Sequence, residues 1–359
     1  MAPVKLGIIG CGVIGKQHLA AAVKSPAIEL VAVADLREDR AHEAAAKYGI
    51  KTVYKEGKTL IRDRNVEAVV LAFPAATRTK LALQAFARGR HVLTEKPVAM
   101  NAREVLRMIR ARGDRVAACC CSRYQFFPST AAATEFVASG ALGSLRTVHS
   151  RVFFAAGPKP QASPPDWRLI KSLNGGGILM NWGCYDLNFL LGITGWALRP
   201  RLVLSQTWPI PPQLAGNAAP GSDAETHFTA LIRCDDGIVI TFERGEYMNI
   251  QPEESWQIIG TQGALKLTMV HAPEKKIVFD SATAEKGVQS TTIWEGKEEN
   301  TLHSGPIIDF AEAIRDHRPP KTGLEQALIV QQVSDAIYVS ALKGKAIAIK
   351  PGANQRRLQ

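Results

Sequence analysis

The sequence predicts an α/β domain built on a doubly wound parallel sheet, followed by an α+β domain with a large, mostly antiparallel open sheet. Three observations carry this expectation. The first third alternates apolar strands with helical patterns, a glycine-rich turn joins the first strand to the first helix, and beyond Arg123 long β-like segments succeed one another. A chain of 359 residues is also longer than one hydrophobic core usually serves.

The strands come first. "VKLGIIG", "ELVAVAD", "KTVY", "AVVLAF", "HVLTEKP" and "RVAACCCS" are apolar runs separated by helical patterns such as "AREVLRMIRARG". Continuous apolar strands that alternate with helices indicate a parallel sheet covered on both faces. Past Arg123 a helix, "STAAATEFVASG", leads into "SLRTVHSRVFFA", "RPRLVLSQTW", "ETHFTALIRCDDGIVITFERG" and "SWQIIGTQGALKLT". The "DDG" within the third is a hairpin signal, and strands that follow strands pair antiparallel. "AAGPKPQASPPDW" and "PIPPQLAGNAAPG" read as irregular loops. Two helices, "GPIIDFAEAIRDH" and "LEQALIVQQVSDAIYVSALKG", close the chain, and "GANQRRLQ" reads as a frayed tail.

Composition narrows the class. An apolar fraction of 46% and a charged fraction of 21% are those of an ordinary globular protein. No apolar run is long enough to cross a bilayer, and "MAPVKLGIIG" has no basic region ahead of a cleavage site, so we expect a cytoplasmic chain without membrane contact. The net charge of +11 speaks first to solubility, then to a preference for anionic cofactors or substrates. Nucleic-acid binding ranks last, because basic stretches such as "RDHRPPK" and "RMIRARGDR" are scattered and not interleaved with aromatics. Of six cysteines, Cys119, Cys120 and Cys121 are adjacent. Neighbouring strand residues point to opposite faces, so these three do not close on one metal, and buried thiols are the simpler account. His91 opens a strand and reads as structural. His149, His227, His271, His303 and His317 show no ligand spacing, so no metal is expected.

The turn after the first strand carries chemistry. In "GIIGCGVIG", Gly10, Gly12 and Gly15 form Gly-x-Gly-x-x-Gly between a strand and a helix, and Asp35 ends the second strand twenty residues after Gly15. Gly10 permits the tight turn, Gly12 lets backbone approach a pyrophosphate, and Gly15 lets helix and strand pack closely, with the helix N-terminus toward the anion. Cys11, Val13 and Ile14 complete the cradle. Asp35 accepts from a ribose 2′-OH and repels a 2′-phosphate, which favours NAD. Arg37 and Arg40 nearby partly offset that repulsion and keep NADP open. "FPAATR" (Phe73, Pro74, Arg78) and "LTEKP" (Glu95, Lys96) follow the fourth and fifth strands, where ligands bind in such sheets. Lys96 is therefore expected at the cleft rim beside the nicotinamide.

Together these features resemble the Gfo/Idh/MocA family. Gly10 to Gly15 match its fingerprint, His18 its downstream histidine, and "GRHVLTEKPVA" its Glu-Lys-Pro block. "FVASGALGSLRTV" resembles its entry into the second sheet, "DWR" and "GGGILMNWGCYDLN" its Trp-Arg and Gly-Gly-Gly segment, and "FAEAIRDHRPP" with "SALKGKAIAI" its C-terminal helices. The resemblance covers nearly the whole chain. It implies a Rossmann domain at 1–122, a substrate-binding and oligomerisation domain at 123–350 and a tail at 351–359. It also implies a metal-free hydride transfer between nicotinamide and a sugar, cyclitol or related polyol, in a homodimer or homotetramer formed through the open sheet. The family's Asp falls on Asn181 and its His on Tyr185, and some members pair Tyr with Lys in this way. Its Pro-Asn-x-x-His becomes Pro74-Ala75-Ala76-Thr77-Arg78 here.

An alcohol that releases hydride must also lose a proton, which calls for a positioned acid/base. Tyr185 serves if its pKa falls from about 10, and a Lys96 ammonium beside it favours the phenolate. Asn181, Tyr185 and Asn188 recur at i, i+4 and i+7 on one face of an apolar helix. The two amides suit hydroxyl-rich ligands. Asp186 lies about 100° away and is kept off that stripe. Gly175 to Gly177 are expected to let backbone pass close to nicotinamide or substrate. Arg123 and Tyr124 are candidates to touch cofactor or substrate, Trp167 to cover a sugar face, and Arg168 to bind an oxygen or anion. Two alternatives stay open: a reductase of an anionic keto-sugar, and a catalytically silent NAD-sensing regulator on the same fold.

Overall fold

The computed structural model describes residues 2–349 except 163, 166, 271, 273 and 299–301. The expected tail at 351–359 and His271 lie outside the described residues. The chain forms two compact units, Met1–Arg123 with Thr301–Gln331, and Tyr124–Asn300 with Gln332–Gln359.

In the first unit, β1 (Val4–Ile9), β2 (Ile28–Ala34), β3 (Thr52–Tyr54), β4 (Ala68–Leu71), β5 (His91–Thr94) and β6 (Ala117–Cys119) form one sheet in the order β3-β2-β1-β4-β5-β6. Every pairing is parallel, as continuous apolar strands require. Helices Val13–Ala22, Glu38–Tyr48, Arg78–Ala87 and Ala102–Arg112 make connections. The last is capped at its start: the Asn101 side chain accepts the Glu104 N–H, and the Glu104 carboxylate accepts the Met100 N–H. Strand order reverses between β1 and β4, so their carboxyl ends flank the crevice where such sheets bind ligands. Leu6, Ile8, Val33, Val70 and Leu93 anchor the core under this crevice. Helix Ser304–Arg315 also packs there through Ile307, Phe310 and Ala311, so the chain returns late to finish its first core.

The "CCC" stretch is only partly a strand. Cys119 ends β6, while Cys120 and Cys121 open a 3₁₀ turn over Cys120–Phe126. All six cysteines are buried free thiols.

The second unit holds β7 (Leu145–Ala155), β8 (Pro200–Trp208), β9 (His227–Cys234), β10 (Val239–Met248), β11 (Glu253–Gly260), β12 (Ala264–Leu267), β13 (Lys275–Thr283), β14 (Gly287–Gly296) and β15 (Ile347–Ala348). They form one sheet, β14-β13-β12-β11-β7-β10-β9-β8-β15, antiparallel except where β10 meets β7. The "DDG" hairpin forms as expected: Asp236 and Gly237 take φ of 58° and 76° between β9 and β10. The strands alternate. Phe228, Ala230 and Ile232 of β9 are buried, and Leu231 between them is exposed. Helix Cys184–Ile193, preceded by a π-helical turn at Leu179–Gly183, covers the inner face. Gly183 lets it approach closely, since a Cβ there would stand 3.2 Å from Phe242 and 3.4 Å from Phe228. No helix among the described residues is long and apolar enough to cross a membrane.

Candidate functional site

Each unit brings together one group of the expected residues. In the first, the glycine turn is tight for identifiable reasons. Gly10 has φ +98°, and a Cβ there would lie 2.4 Å from the Ala72 carbonyl oxygen. A Cβ on Gly15 would lie 1.8 Å from the Gly10 carbonyl oxygen, so Gly15 closes the loop on itself as well as opening the helix. Gly12 is different. The nearest atom to its absent Cβ is Arg40 Nη1 at 3.7 Å, which leaves that side open to a ligand. Asp35 ties the second strand to this loop. Its Oδ2 accepts the Cys11 N–H at 2.7 Å and its Oδ1 the Arg37 N–H at 2.8 Å. The Arg37 guanidinium turns outward and pairs with Asp39 at 2.7 Å. Burial, with Asp35 nearby, pushes the Cys11 thiol up to about 12, so it is an inert wall of the cradle. A loop of this form at the N-terminus of helix Val13–Ala22 fits a dinucleotide pyrophosphate.

Lys96 follows β5 and is half-buried. Its backbone N–H donates to Glu95 Oε2 at 3.0 Å. The Glu95 carboxylate is buried, accepts from the Arg123 guanidinium, and lies 2.8 Å from His18 Nε2. Burial alone would raise its pKa, but Arg123, His18 and Lys96 together hold it well below the usual carboxylate range. His18, Glu95 and Cys120 offer donor atoms within 4.8 Å of one another. A cation there would compete with the guanidinium already on Glu95 Oε1, and burial and Glu95 raise the Cys120 thiol well above its ordinary value. Arg123 thus enters as a buried partner of Glu95. Arg78, expected against cofactor, is 2% exposed and donates to the carbonyls of Phe73, Glu95 and Pro97. Pro74 leads into the 3₁₀ turn Ala75–Thr77 that sets this arginine.

In the second unit, Asn181 lies in the π-helical turn, and Tyr185 and Asn188 lie in the helix after it. All three are buried, Asn181 at 8%, Tyr185 at 3% and Asn188 at 0% exposure. The Tyr185 ring is met edge-on by Tyr124 at 5.3 Å and by Trp182 at 5.7 Å. Asn188 belongs to a packed region, where the Gln125 amide donates to its carbonyl at 2.8 Å and to that of Phe189 at 3.2 Å. Asp186 is off the stripe. It accepts Arg244 Nη1 at 2.8 Å on both oxygens and Trp256 Nε1 at 2.9 Å, with Asp186 and Arg244 fully buried.

The three glycines ahead of this helix have a different purpose from the expected approach to nicotinamide or substrate. Gly175 takes φ +83° to end helix Lys171–Asn174. A Cβ on Gly176 would stand 1.9 Å from Tyr338 Oη, and one on Gly177 1.7 Å from the Glu225 carbonyl oxygen. Glu225 is the reason. Its buried carboxylate accepts the Gly177 N–H at 2.9 and 3.0 Å, the Leu179 N–H at 3.1 Å and the Tyr338 hydroxyl at 2.8 Å. It caps the helix N-terminus that carries Tyr185. Nothing in the local sequence around Glu225 announces this. Trp167 is 42% exposed. Arg168 is paired with Glu246 and donates to the Tyr247 hydroxyl at 3.2 Å.

The oxidoreductase-family NAD-binding Rossmann model matches residues 4–118, and the Gfo/Idh/MocA C-terminal domain model matches residues 130–266. A levoglucosan dehydrogenase of Pseudarthrobacter phenanthrenivorans is 24% identical over 342 residues, 88% of this chain and 83% of that one. A D-xylose 1-dehydrogenase (NADP(+)) of Haloferax volcanii is 26% identical over 346 residues, 96% of this chain and 99% of that one. A solved levoglucosan dehydrogenase in complex with NADH and L-sorbose has the same fold, with a TM-score of 0.81 at 20% identity over 98% of this chain and 100% of that one. With a Rossmann cradle, a Glu-Lys-Pro loop and a nine-stranded partner sheet in one chain, this protein belongs to the Gfo/Idh/MocA family of oxidoreductases.

Proposed function

We propose that the protein is a cytoplasmic, NAD-preferring dehydrogenase or reductase that moves a hydride between nicotinamide and a CH–OH carbon of a sugar, cyclitol or related polyol. The observation that carries this is the open face of Gly12 beside Asp35, whose carboxylate is fixed by the Cys11 and Arg37 N–H groups where a ribose hydroxyl would donate to it. NAD, when bound, supplies the hydride acceptor or donor. Lys96 and Tyr185 act as the acid/base pair. In oxidation the Tyr185 phenolate takes the hydroxyl proton while the C–H bond releases hydride, and in reduction the phenol returns that proton. Lys96 holds the reacting oxygen and stabilises the phenolate. Asn181 orients neighbouring hydroxyls, and Trp167, exposed in the loop ahead of the helix, is available to cover a sugar face. The similarity to relatives named for levoglucosan and D-xylose supports a carbohydrate substrate. The pairing of Arg168 with Glu246 leaves no surplus charge at that residue and weighs against an anionic keto-sugar.

Purified protein assayed with NAD and NADP against a panel of neutral and anionic sugars and polyols tests this. Turnover of a neutral polyol with NAD is expected, with Tyr185→Phe and Lys96→Ala each reduced by about 10²-fold or more. A Tyr185→Phe enzyme as active as the parent removes the proposed base. Binding of NAD with no turnover across the panel would leave the silent regulator as the better reading. We also propose that the outer sheet face, where Leu204 pairs with Leu231 and both are 50% exposed, is covered by a second copy in a homodimer or homotetramer. Light scattering of a Leu231→Glu variant checks this: a parent that is already monomeric refutes it.

A further inference from the structure

We propose that Arg78 is a positioning residue for Lys96, an inference that rests on the acid/base reading above. Burying a guanidinium is costly unless its donors are met, yet Arg78 is 2% exposed. Its donors reach the backbone carbonyls of three residues. Nε reaches the Phe73 carbonyl at 3.1 Å and Nη2 reaches the same oxygen, while Nη1 donates to the carbonyls of Glu95 and Pro97. Those last two carbonyls bracket Lys96 in sequence. The remaining backbone donor at that point, the Lys96 N–H, is held by the Glu95 carboxylate at 3.0 Å. That carboxylate is itself fixed by His18 and Arg123.

The backbone from which the lysine side chain departs is therefore pinned on both sides. Segments that follow a strand at a ligand crevice ordinarily leave such carbonyls to water and keep some mobility. A single planar fork that spans the ends of β4 and β5 removes that freedom. Neither a lysine ammonium nor an imidazole presents five donors in one plane. Packing alone would be served by an apolar residue. Fixing the two carbonyls that flank Lys96 and a third after β4 with one group calls for the fork.

The test uses the full chain with Arg78→Ala and Arg78→Lys beside the parent and Lys96→Ala. Readouts are kcat, KM, NADH affinity by fluorescence, melting temperature and the pH profile of kcat. Arg78→Ala is expected to lose about 10²-fold in kcat, the scale of a misplacement of about 1 Å, with NADH affinity within about threefold of the parent. The ionisation that governs kcat should move toward the ordinary phenol value near 10 as Lys96 drifts from its place. Guanidinium at non-denaturing concentration should restore at least about tenfold, by refilling the fork's position. If Arg78→Ala does not fold, Arg78→Lys carries the same expectations of a kcat loss and a pH shift. A kcat within about threefold of the parent overturns the proposal, as does a loss with an unmoved pH profile and no rescue, which marks a structural role only. Lys96→Ala at parental activity is a separate failure: it removes the acid/base reading itself, whatever Arg78 does.

Discussion

Asp186→Asn is the substitution whose cost the structure states most directly. Asp186 and Arg244 are both fully buried, and three charge-assisted hydrogen bonds converge on the carboxylate, two from Arg244 and one from Trp256. The guanidinium is otherwise sandwiched by rings, 4.8 Å from the Trp182 centroid and 5.1 Å from that of Phe154, and its Nε and Nη2 have no hydrogen-bond partner among the described residues. Removing the carboxylate charge leaves a buried cation facing aromatic faces, at a cost of about 3–5 kcal/mol. Burial raises the Asp186 pKa against the pull of Arg244 and Trp256, so the ionised pair is not itself a large net gain over apolar residues. Asp186→Leu with Arg244→Met should therefore cost less than either single change, with a coupling of at least about 2 kcal/mol. All six tryptophans lie between Trp167 and Trp294, so intrinsic fluorescence during urea unfolding reports the second unit alone. With a slope of about 2 kcal/mol per molar urea, Asp186→Asn should lower the midpoint by about 1.5 M or more. Single costs below about 1 kcal/mol, or single costs that add in the double variant, would refute the reasoning.

Three further outcomes are expected. Asp35→Asn keeps an oxygen acceptor for one of the Cys11 and Arg37 N–H groups, turns an amide NH2 toward the other, and drops the charge that repels a 2′-phosphate. The ratio of kcat/KM for NAD over NADP should fall by about tenfold or more, and an unchanged ratio would release Asp35 from that role. Gly177→Ala places a Cβ 1.7 Å from the Glu225 carbonyl oxygen, so backbone must move. A loss of about 3 kcal/mol, read by the same fluorescence titration, should come with lower kcat as the Tyr185 helix shifts. The third concerns pH. Burial, with Arg115 adding to it, pushes His91 down to about 4, and its Nδ1 accepts the Val116 N–H at 2.8 Å, so the ring is neutral in the fold. Because the folded pKa lies below the unfolded value near 6.5, this contribution is complete above that pH and is lost as pH falls toward 4. His303, also pushed to about 4 by burial and by Arg123, acts in the same direction. Far-UV circular dichroism melts between pH 7 and pH 4 should show a decline that His91→Asn makes shallower.

The parts of this fold that were legible in the sequence are those set by near neighbours. Strand–helix alternation, the glycine turn and the Asp-Gly hairpin each follow from residues a few positions apart. The parts that were not legible join residues far apart. "GGG" reads as room for a ligand until Tyr338 and Glu225 arrive from elsewhere in the chain to occupy that room. Arg78, Glu95 and Arg123 look like cofactor contacts from their places after strands, and position alone does not reveal that their side chains bond to one another's segments. Asn188 keeps the helical spacing of a substrate contact, but the packing of Gln125 against that stretch of helix is a tertiary fact. Periodicity reports which face of a helix is apolar, not which core it joins, and so helix Ser304–Arg315 gave no sign that it completes the first sheet's cover.

That late return bears on synthesis. A nascent chain that has emerged as far as β6 has all six strands of the first sheet, but Ile307, Phe310 and Ala311 are still to be made. Leu6 and Ile8 stay without part of their lid while the whole nine-stranded sheet except its last short strand is translated. The nucleotide-binding half is begun first and sealed nearly last, and any fragment cut after Arg123 should present a greasy seam that draws it into aggregates.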